Sequence, residues 1–277
     1  MPISPFENHI TIDKEDMNAV DLLANNTGLS KQTIKQAMQK GAVWLTHNTH
    51  TQRLRRAKKQ LQTGNTLHLY YDEKILSEEP TAPLLIADEQ AYSVWYKPYG
   101  MRSQGSKWGD HCTLYRWAEQ HISPQRPAFI VHRLDRAATG LMLIAHQKHI
   151  ATALSKLFEM RAIEKWYRVI VHGHFPASPR TIENDIDGRH AKSHITLLKY
   201  HPLSNQSLLE VHIETGRKHQ IRRHLSSIGF PVLGDRLYGQ PTDAEDLQLT
   251  AYSLSFQCPL GHQIKQFQLP GNLIPVL

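Results

Sequence analysis

The segment Phe129-Ile130-Val131-His132-Arg133-Leu134-Asp135, followed by Thr139-Gly140 and the apolar run Leu141-Met142-Leu143-Ile144-Ala145, decides how this chain is read. It begins apolar, turns charged, and becomes apolar again after a turn signal, which predicts a strand, a loop and a second strand. Asp135 then lies on the loop, where flanking strands hold the backbone still while the carboxylate stays reachable. Taken alone, an Asp in that position is more often a turn residue bonded to its own backbone.

Outward from this segment, β-like runs at Leu141 to Ala145, Tyr167 to Val171 and Leu208 to Ile213 alternate with helical stretches near residues 111 to 121, 148 to 160 and 219 to 228. A strand-rich α+β class follows. Toward the amino terminus, Met17 to Asn26 and Ser30 to Lys40 read as two short helices, with Ser30 placed to cap the second and Gly41 to end it. Strands are expected at Ala42 to Thr46 and Leu67 to Tyr71, the latter after the turn signal Gln62-Thr63-Gly64-Asn65. Ser77-Glu78-Glu79-Pro80-Thr81-Ala82-Pro83 has the composition of a linker. The expected organisation is therefore a small domain over residues 1 to 75, a linker over 76 to 84, and a larger domain over 85 to 277.

The chain has 277 residues, a formal net charge of +7, 40% hydrophobic and 21% charged residues. Those proportions belong to a folded globular protein, and the positive balance suits a polyanionic partner without proving one. Between residues 22 and 71 there are eight Lys and Arg residues and no Asp or Glu. Five of the eight, Arg53, Arg55, Arg56, Lys58 and Lys59, fall within seven positions and are candidate RNA contacts. The plainer reading of such a run is a solvated loop.

No stretch reaches the roughly 18 apolar residues that a membrane span requires, and Met1-Pro2-Ile3-Ser4-Pro5 lacks the basic and apolar parts of a signal peptide. A cytoplasmic protein is expected. Cys112 and Cys258 are far apart without metal-site spacing, so both are expected as unpaired thiols. His219 and His224 lie on one predicted helix, but five residues apart places them about 140° around it, which does not suit a shared metal. No metal and no cofactor are expected.

Two further segments change the weight carried by Asp135. They are Phe158-Glu159-Met160-Arg161-Ala162-Ile163-Glu164-Lys165-Trp166-Tyr167 and Thr215-Gly216-Arg217-Lys218-His219-Gln220-Ile221-Arg222-Arg223-His224-Leu225. With His132-Arg133-Leu134-Asp135 they resemble, in order, the motifs of the RluA-type pseudouridine synthases. Tyr96-Lys97-Pro98-Tyr99-Gly100 and Pro231-Val232-Leu233-Gly234-Asp235-Arg236-Leu237-Tyr238-Gly239 extend the resemblance to roughly residues 85 to 270. Departures occur at Ala138-Thr139, where Thr-Ser is usual, at Lys218, where Thr is common, and at Phe230, where His is common. Residues 15 to 72 similarly resemble the alpha-L RNA-binding domain of ribosomal protein S-four, on Gly28-Leu29-Ser30, Lys40-Gly41, Val43-Trp44-Leu45 and Gly64-Asn65. His47-Asn48 replaces the usual Asn-Gly there.

The resemblance implies a mixed, largely antiparallel sheet with helices and loops around a central cleft, and an isomerase that converts uridine to pseudouridine in structured RNA. It implies Asp135 as the catalytic carboxylate, Arg222 as its basic partner, Tyr167 stacked on the uracil, and Arg133 filling the space left by a flipped base. Arg161, Lys165 and Arg217 are expected to order the site or bind phosphate. Attack at C1′, addition at C6 and elimination to a glycal are all compatible with that carboxylate. Large-subunit ribosomal RNA is the first expected substrate and a monomer the expected state. Transfer RNA, or a non-catalytic RNA-binding or ribosome-assembly protein on the same fold, are the alternatives.

Overall fold

Helix-forming and strand-forming stretches settle into two units in a computed structural model that describes residues 4–13, 18–241 and 243–277. The first unit runs to Pro80 and takes in Gln104–Trp117; the second comprises Thr81–Ser103 and Ala118–Leu277.

In the first unit, α1 (Ala19–Thr27) and α2 (Lys31–Gln39) pack on a four-stranded antiparallel sheet. Met17, the expected start of the first helix, and residues 1–3 and 14–17 generally lie outside the described residues. Ser30 caps α2 by accepting a hydrogen bond from the Thr33 amide, as the sequence predicts. The sheet orders β1 (Phe6–Thr11), β4 (Thr66–Tyr71), β2 (Val43–His47) and β3 (His50–Arg53). Strands β1 and β3 have no counterpart in the sequence reading, because β3 has no apolar residue and β1 has only Phe6 and Ile10. α3 (Glu73–Ser77) follows, capped by Asp72.

Residues 104–117 join this unit although the sequence boundary places them beyond it. The reason is one carboxylate. Asp110, whose side chain is wholly buried, pairs with Arg55 at 2.5 Å and Arg53 at 3.3 Å and accepts a hydrogen bond from Tyr115. A buried carboxylate needs such partners, since leaving it unpaired would cost several kcal/mol.

The second unit is built on a ten-stranded sheet whose main path runs β10 (Arg180–Glu183), β11 (Lys192–His201), β12 (Gln206–Ile213), β9 (Ile163–His172), β13 (Leu249–Gln257), β8 (Thr139–Ala145), β6 (Tyr92–Lys97) and β5 (Leu84–Asp88). Strands β7 (Phe129–Ile130) and β14 (Ile264–Gln268) pair at its side with β8 and β13. The helices are α4 (Leu114–His121), α5 (Lys148–Glu159) and α6 (Gln220–Ser227), with α4 crossing the unit boundary in sequence. The mixed, largely antiparallel α+β class is as expected. All pairings are antiparallel except β8 with β13, where Thr139 faces Thr250 and Gly140 faces Ala251.

That parallel contact is unusually close. Gly140 has φ of +121°, and a Cβ there would lie 2.3 Å from the Ala251 carbonyl oxygen. Only glycine fits, so the residue that the sequence reads as a turn signal stands instead within the first part of β8. Cys112 and Cys258 are both buried and form no disulfide. No helix among the described residues is long and apolar enough to cross a membrane.

Gly140→Ala combines a forbidden contact with a left-handed backbone, so we expect a loss of about 3 kcal/mol or more. Thermal melting followed by circular dichroism should fall by roughly 6 to 12 °C at that loss. An unchanged melting temperature would show that the strands separate freely.

Candidate active site

Strand alternation brings the first site residues together. In β9, Ile163, Lys165, Tyr167 and Val169 share the inward face, so Tyr167 and Lys165, each 8% exposed, look the same way. Tyr167 makes no ring contact with another aromatic among the described residues and lines two cavities, which leaves its ring available to a planar ligand. Burial, helped by the Asp135 charge, raises its phenol well above the ordinary value, so the hydroxyl stays protonated at neutral pH. Burial likewise lowers Lys165.

Asp135 is presented by a loop that is bonded at almost every step. His132 Nε2 accepts from the Leu143 amide at 2.9 Å, and its ring stacks on Phe158 at 4.2 Å. Burial pushes this imidazole down to about 3, so it is a neutral structural acceptor. Ser103 Oγ donates to the Leu134 carbonyl at 2.7 Å and accepts from the Leu134 amide at 3.1 Å. The Arg136 carbonyl accepts from buried Lys97 at 3.2 Å and from the Gly100 amide at 3.0 Å. Lys97 also donates to the carbonyls of Pro98 and Met101, and its own burial lowers it to about 7. A carboxylate on a loop fixed this way is held in one geometry before any ligand arrives.

Helix α6 supplies the opposing charge. Arg222, 4% exposed, donates from Nε and Nη2 to the two oxygens of buried Asp235 at 2.7 and 2.5 Å. Its Nη1 lies 3.6 Å from Asp135 Oδ2. The expected partnership with Asp135 is thus an ion pair, while the hydrogen bonds go to Asp235. Burial opposes the charge on Arg222, but Asp235 outweighs it and raises the guanidinium further. Asp235 itself is held low against its own burial by Arg222 and by the Leu237 and Tyr238 amides.

His219, weighed in the sequence only as a metal ligand, belongs to this cluster. It caps α6 in a left-handed conformation, φ 56°, with Nε2 3.8 Å from Asp135 Oδ1 and Nδ1 3.0 Å from the Tyr238 hydroxyl. Burial lowers its ionisation, and the Asp135 charge opposes that shift. His224 instead faces Ser193 and the Asn184 carbonyl, so the two histidines serve different neighbours. Among the described residues no group of His, Cys, Asp and Glu is arranged to hold a metal.

Three cavities of about 90, 410 and 200 Å³ meet around the loop, and Asp135 is the one residue lining all three. The largest falls within the roughly 300–1,000 Å³ of small-ligand sites. Arg161, Lys165 and Arg217 line it as well, although Arg217 Nε is already bonded to the His190 carbonyl at 2.9 Å. Arg133 is exposed at the rim, with no hydrogen bond or ion pair among the described residues. A side chain so placed is free to move into a neighbouring space.

The basic run of the first unit divides. Arg53 and Arg55 are spent inside the unit, on Asp110 and on the carbonyls of Gly41, Ser106 and Gln39. They are therefore corrected from RNA contacts to structural cations. Arg56, Lys58 and Lys59 are exposed. Asp235, Tyr238, Lys97 and His219 were not singled out as site residues from the sequence, although all four lie in segments that carry the resemblance.

Comparison with known proteins points to one family. A family model described as RNA pseudouridylate synthase matches residues 91–227. The chain is 28% identical over 220 residues to the dual-specificity RNA pseudouridine synthase RluA of Vibrio vulnificus, covering 71% of this chain and 86% of that protein. It is 36% identical over 143 residues to ribosomal large subunit pseudouridine synthase D of Zymomonas mobilis, where the match spans 46% of this chain and less than half, 44%, of the relative. Among solved structures, human RNA pseudouridylate synthase domain containing 1 has the same fold, with a TM-score of 0.60, 21% identity, and coverage of 72% and 88%.

Asp235→Asn removes the charge that balances buried Arg222. Breaking such a pair on one side costs about 3 kcal/mol or more, and chemical denaturation should show it as a lower midpoint with an unchanged slope. Wild-type stability in this variant would mean that Asp135 alone satisfies Arg222.

Proposed function

The chain belongs to the RluA-type RNA pseudouridine synthases, and from that premise we propose that Asp135 is the catalytic carboxylate of an isomerase acting on large-subunit ribosomal RNA. The observation that carries this reading is the position of Asp135 at the meeting point of three cavities, two of them also lined by Tyr167, with Arg222 Nη1 3.6 Å away.

The reaction breaks the N1 glycosidic bond, turns the uracil, and rejoins it through C5. Each route open to it needs a carboxylate beside the nucleoside and a means of holding the free base. Asp135 supplies the first, pre-positioned by the bonds at His132, Leu134 and Arg136. Tyr167 supplies the second by stacking, and its hydroxyl assists proton loss from C5, giving up its own proton as it takes the one that leaves carbon. Arg133, free at the rim, enters the space of the flipped uridine, offsetting part of an unstacking cost of a few kcal/mol. Arg161, Lys165 and Arg217 surround the larger cavity with positive charge for the adjoining phosphates.

Ribosomal RNA is favoured over transfer RNA by the relative named for the large subunit and by the extra basic unit before the catalytic one. In that unit Arg56, Lys58 and Lys59 are the exposed cations available to phosphate. A monomer in the cytoplasm fits a site assembled wholly within one unit of one chain.

Asp135→Asn should abolish pseudouridine formation, read by nucleoside chromatography of digested RNA, while RNA affinity stays within about twofold. Tyr167→Phe keeps the ring and should lose roughly 100-fold in rate. Full conversion by Asp135→Asn would end the assignment. Mapping pseudouridines in cells with and without the gene should show missing sites in large-subunit RNA; sites missing only from transfer RNA would overturn that target.

Replacing Lys58 and Lys59 by Ala should reduce the slope of log affinity against log salt by about 0.7 to 0.9 for each phosphate that is no longer neutralised. An unchanged slope would place the phosphate-binding cations elsewhere.

A further inference from the structure

Strand register gives the first unit an outer sheet face unlike its inner one. Val43, Leu45, Leu67 and Leu69 point inward to α1 and α2. Outward, the pairings align Arg53, Trp44, His68 and His9 in one row across all four strands. Thr51, Thr46, Thr66 and Thr11 form the next row. On the other side of the histidine row lies Tyr70, which meets Trp108 edge-on at 5.8 Å. No outward position in these rows is Leu, Ile, Val or Met.

Cations are interleaved with the rings. Arg53 lies over Trp44 at 4.2 Å and Lys107 over Tyr70 at 4.7 Å. His9, His68 and Tyr70 stand 5.0 to 6.4 Å apart, a continuous group of rings rather than isolated ones. Thr46 Oγ1 bonds His68 Nε2 and Thr51 Oγ1, each at 2.8 Å, fixing the histidine row to the threonine row. The one carboxylate in these rows, Glu7, is paired with Lys107.

We infer that this face binds single-stranded RNA, with bases on the His9, His68 and Tyr70 rings and phosphates along Lys107 and the threonine row. The inference rests on the reading of this unit as an RNA contact, and it names a surface different from the Arg56 to Lys59 run. Rings that stack with any base, beside cations and hydroxyls, suit a strand whose bases are splayed. A duplex keeps its bases stacked internally and offers only its backbone and groove edges to a sheet. A protein partner is disfavoured, because the outward rows carry rings, hydroxyls and cations and no aliphatic side chain.

The test is anisotropy of a labelled oligouridylate, and of an RNA duplex of equal length, titrated with the full chain. His9→Ala and Tyr70→Leu should each weaken oligouridylate binding about tenfold with duplex binding unchanged, and Tyr70→Phe should bind as wild type. His9 is exposed, so its variant keeps the fold and carries the test if Tyr70→Leu does not. Wild-type affinity in His9→Ala and Tyr70→Leu, or equal losses on duplex, would overturn the inference. So would sedimentation showing self-association that Tyr70→Leu abolishes, which would make the face a protein contact. Normal oligouridylate binding by these variants, alongside a reduced salt slope in the Lys58 and Lys59 variant, would refute this face while leaving the unit as an RNA contact.

Discussion

A buried guanidinium between two carboxylates organises the catalytic unit. Arg222 cannot stay charged away from water unless it is paired, and Asp235 pairs it through two hydrogen bonds. Asp235 is itself tied to the Leu237 and Tyr238 amides, so the 235–238 turn is fixed to α6. Tyr238 then meets His219, and His219 stands beside Asp135. One ion pair thus sets the positions of a helix start, a loop and the Asp135 carboxylate together. Asp135 itself meets only longer approaches, Arg222 Nη1 at 3.6 Å and His219 Nε2 at 3.8 Å, which leaves its oxygens open toward the cavities.

The same principle of fixing loops by their backbone operates on the other side of the site. His132, Ser103 and Lys97 spend their polar atoms on the main chain of the loop and its neighbours, and none of the three needs to touch a substrate. Gly140 adds a steric condition, since the parallel approach of β8 to β13 leaves no room for a Cβ. Rigidity here contrasts with Arg133, which has no partner among the described residues. A carboxylate on a tightly bonded loop and an unpaired, exposed guanidinium thus stand two positions apart in the chain.

In the first unit a buried charge again decides the arrangement. Asp110 collects Arg53, Arg55 and Tyr115, and residues 104–117 come with it, bringing Lys107 and Trp108 beside Tyr70. Two members of a basic run therefore serve packing, and an aromatic surface appears where linear sequence shows only scattered rings. A run of cations records composition; which of them face water depends on carboxylates that lie more than fifty residues away.

Local sequence alone specified the α+β class, the helix pair with its second member capped at Ser30, the main strands around the site and the reaction class. Those features rest on local periodicity, capping and motif order, which require no knowledge of distant neighbours. Asp135, Tyr167 and Arg222 were legible because long motifs carry them. Only the tertiary structure decided that Arg222 bonds Asp235 rather than Asp135, that His219 joins the site, and that Arg53 and Arg55 are structural. It also supplied β1 and β3, whose polar residues match neither a core strand nor a helix until β4 and β2 provide their partners. The physical reason is common to all of these. A charge or an edge strand is assigned by what pairs with it, and pairing across the fold is not written in the spacing of neighbouring residues.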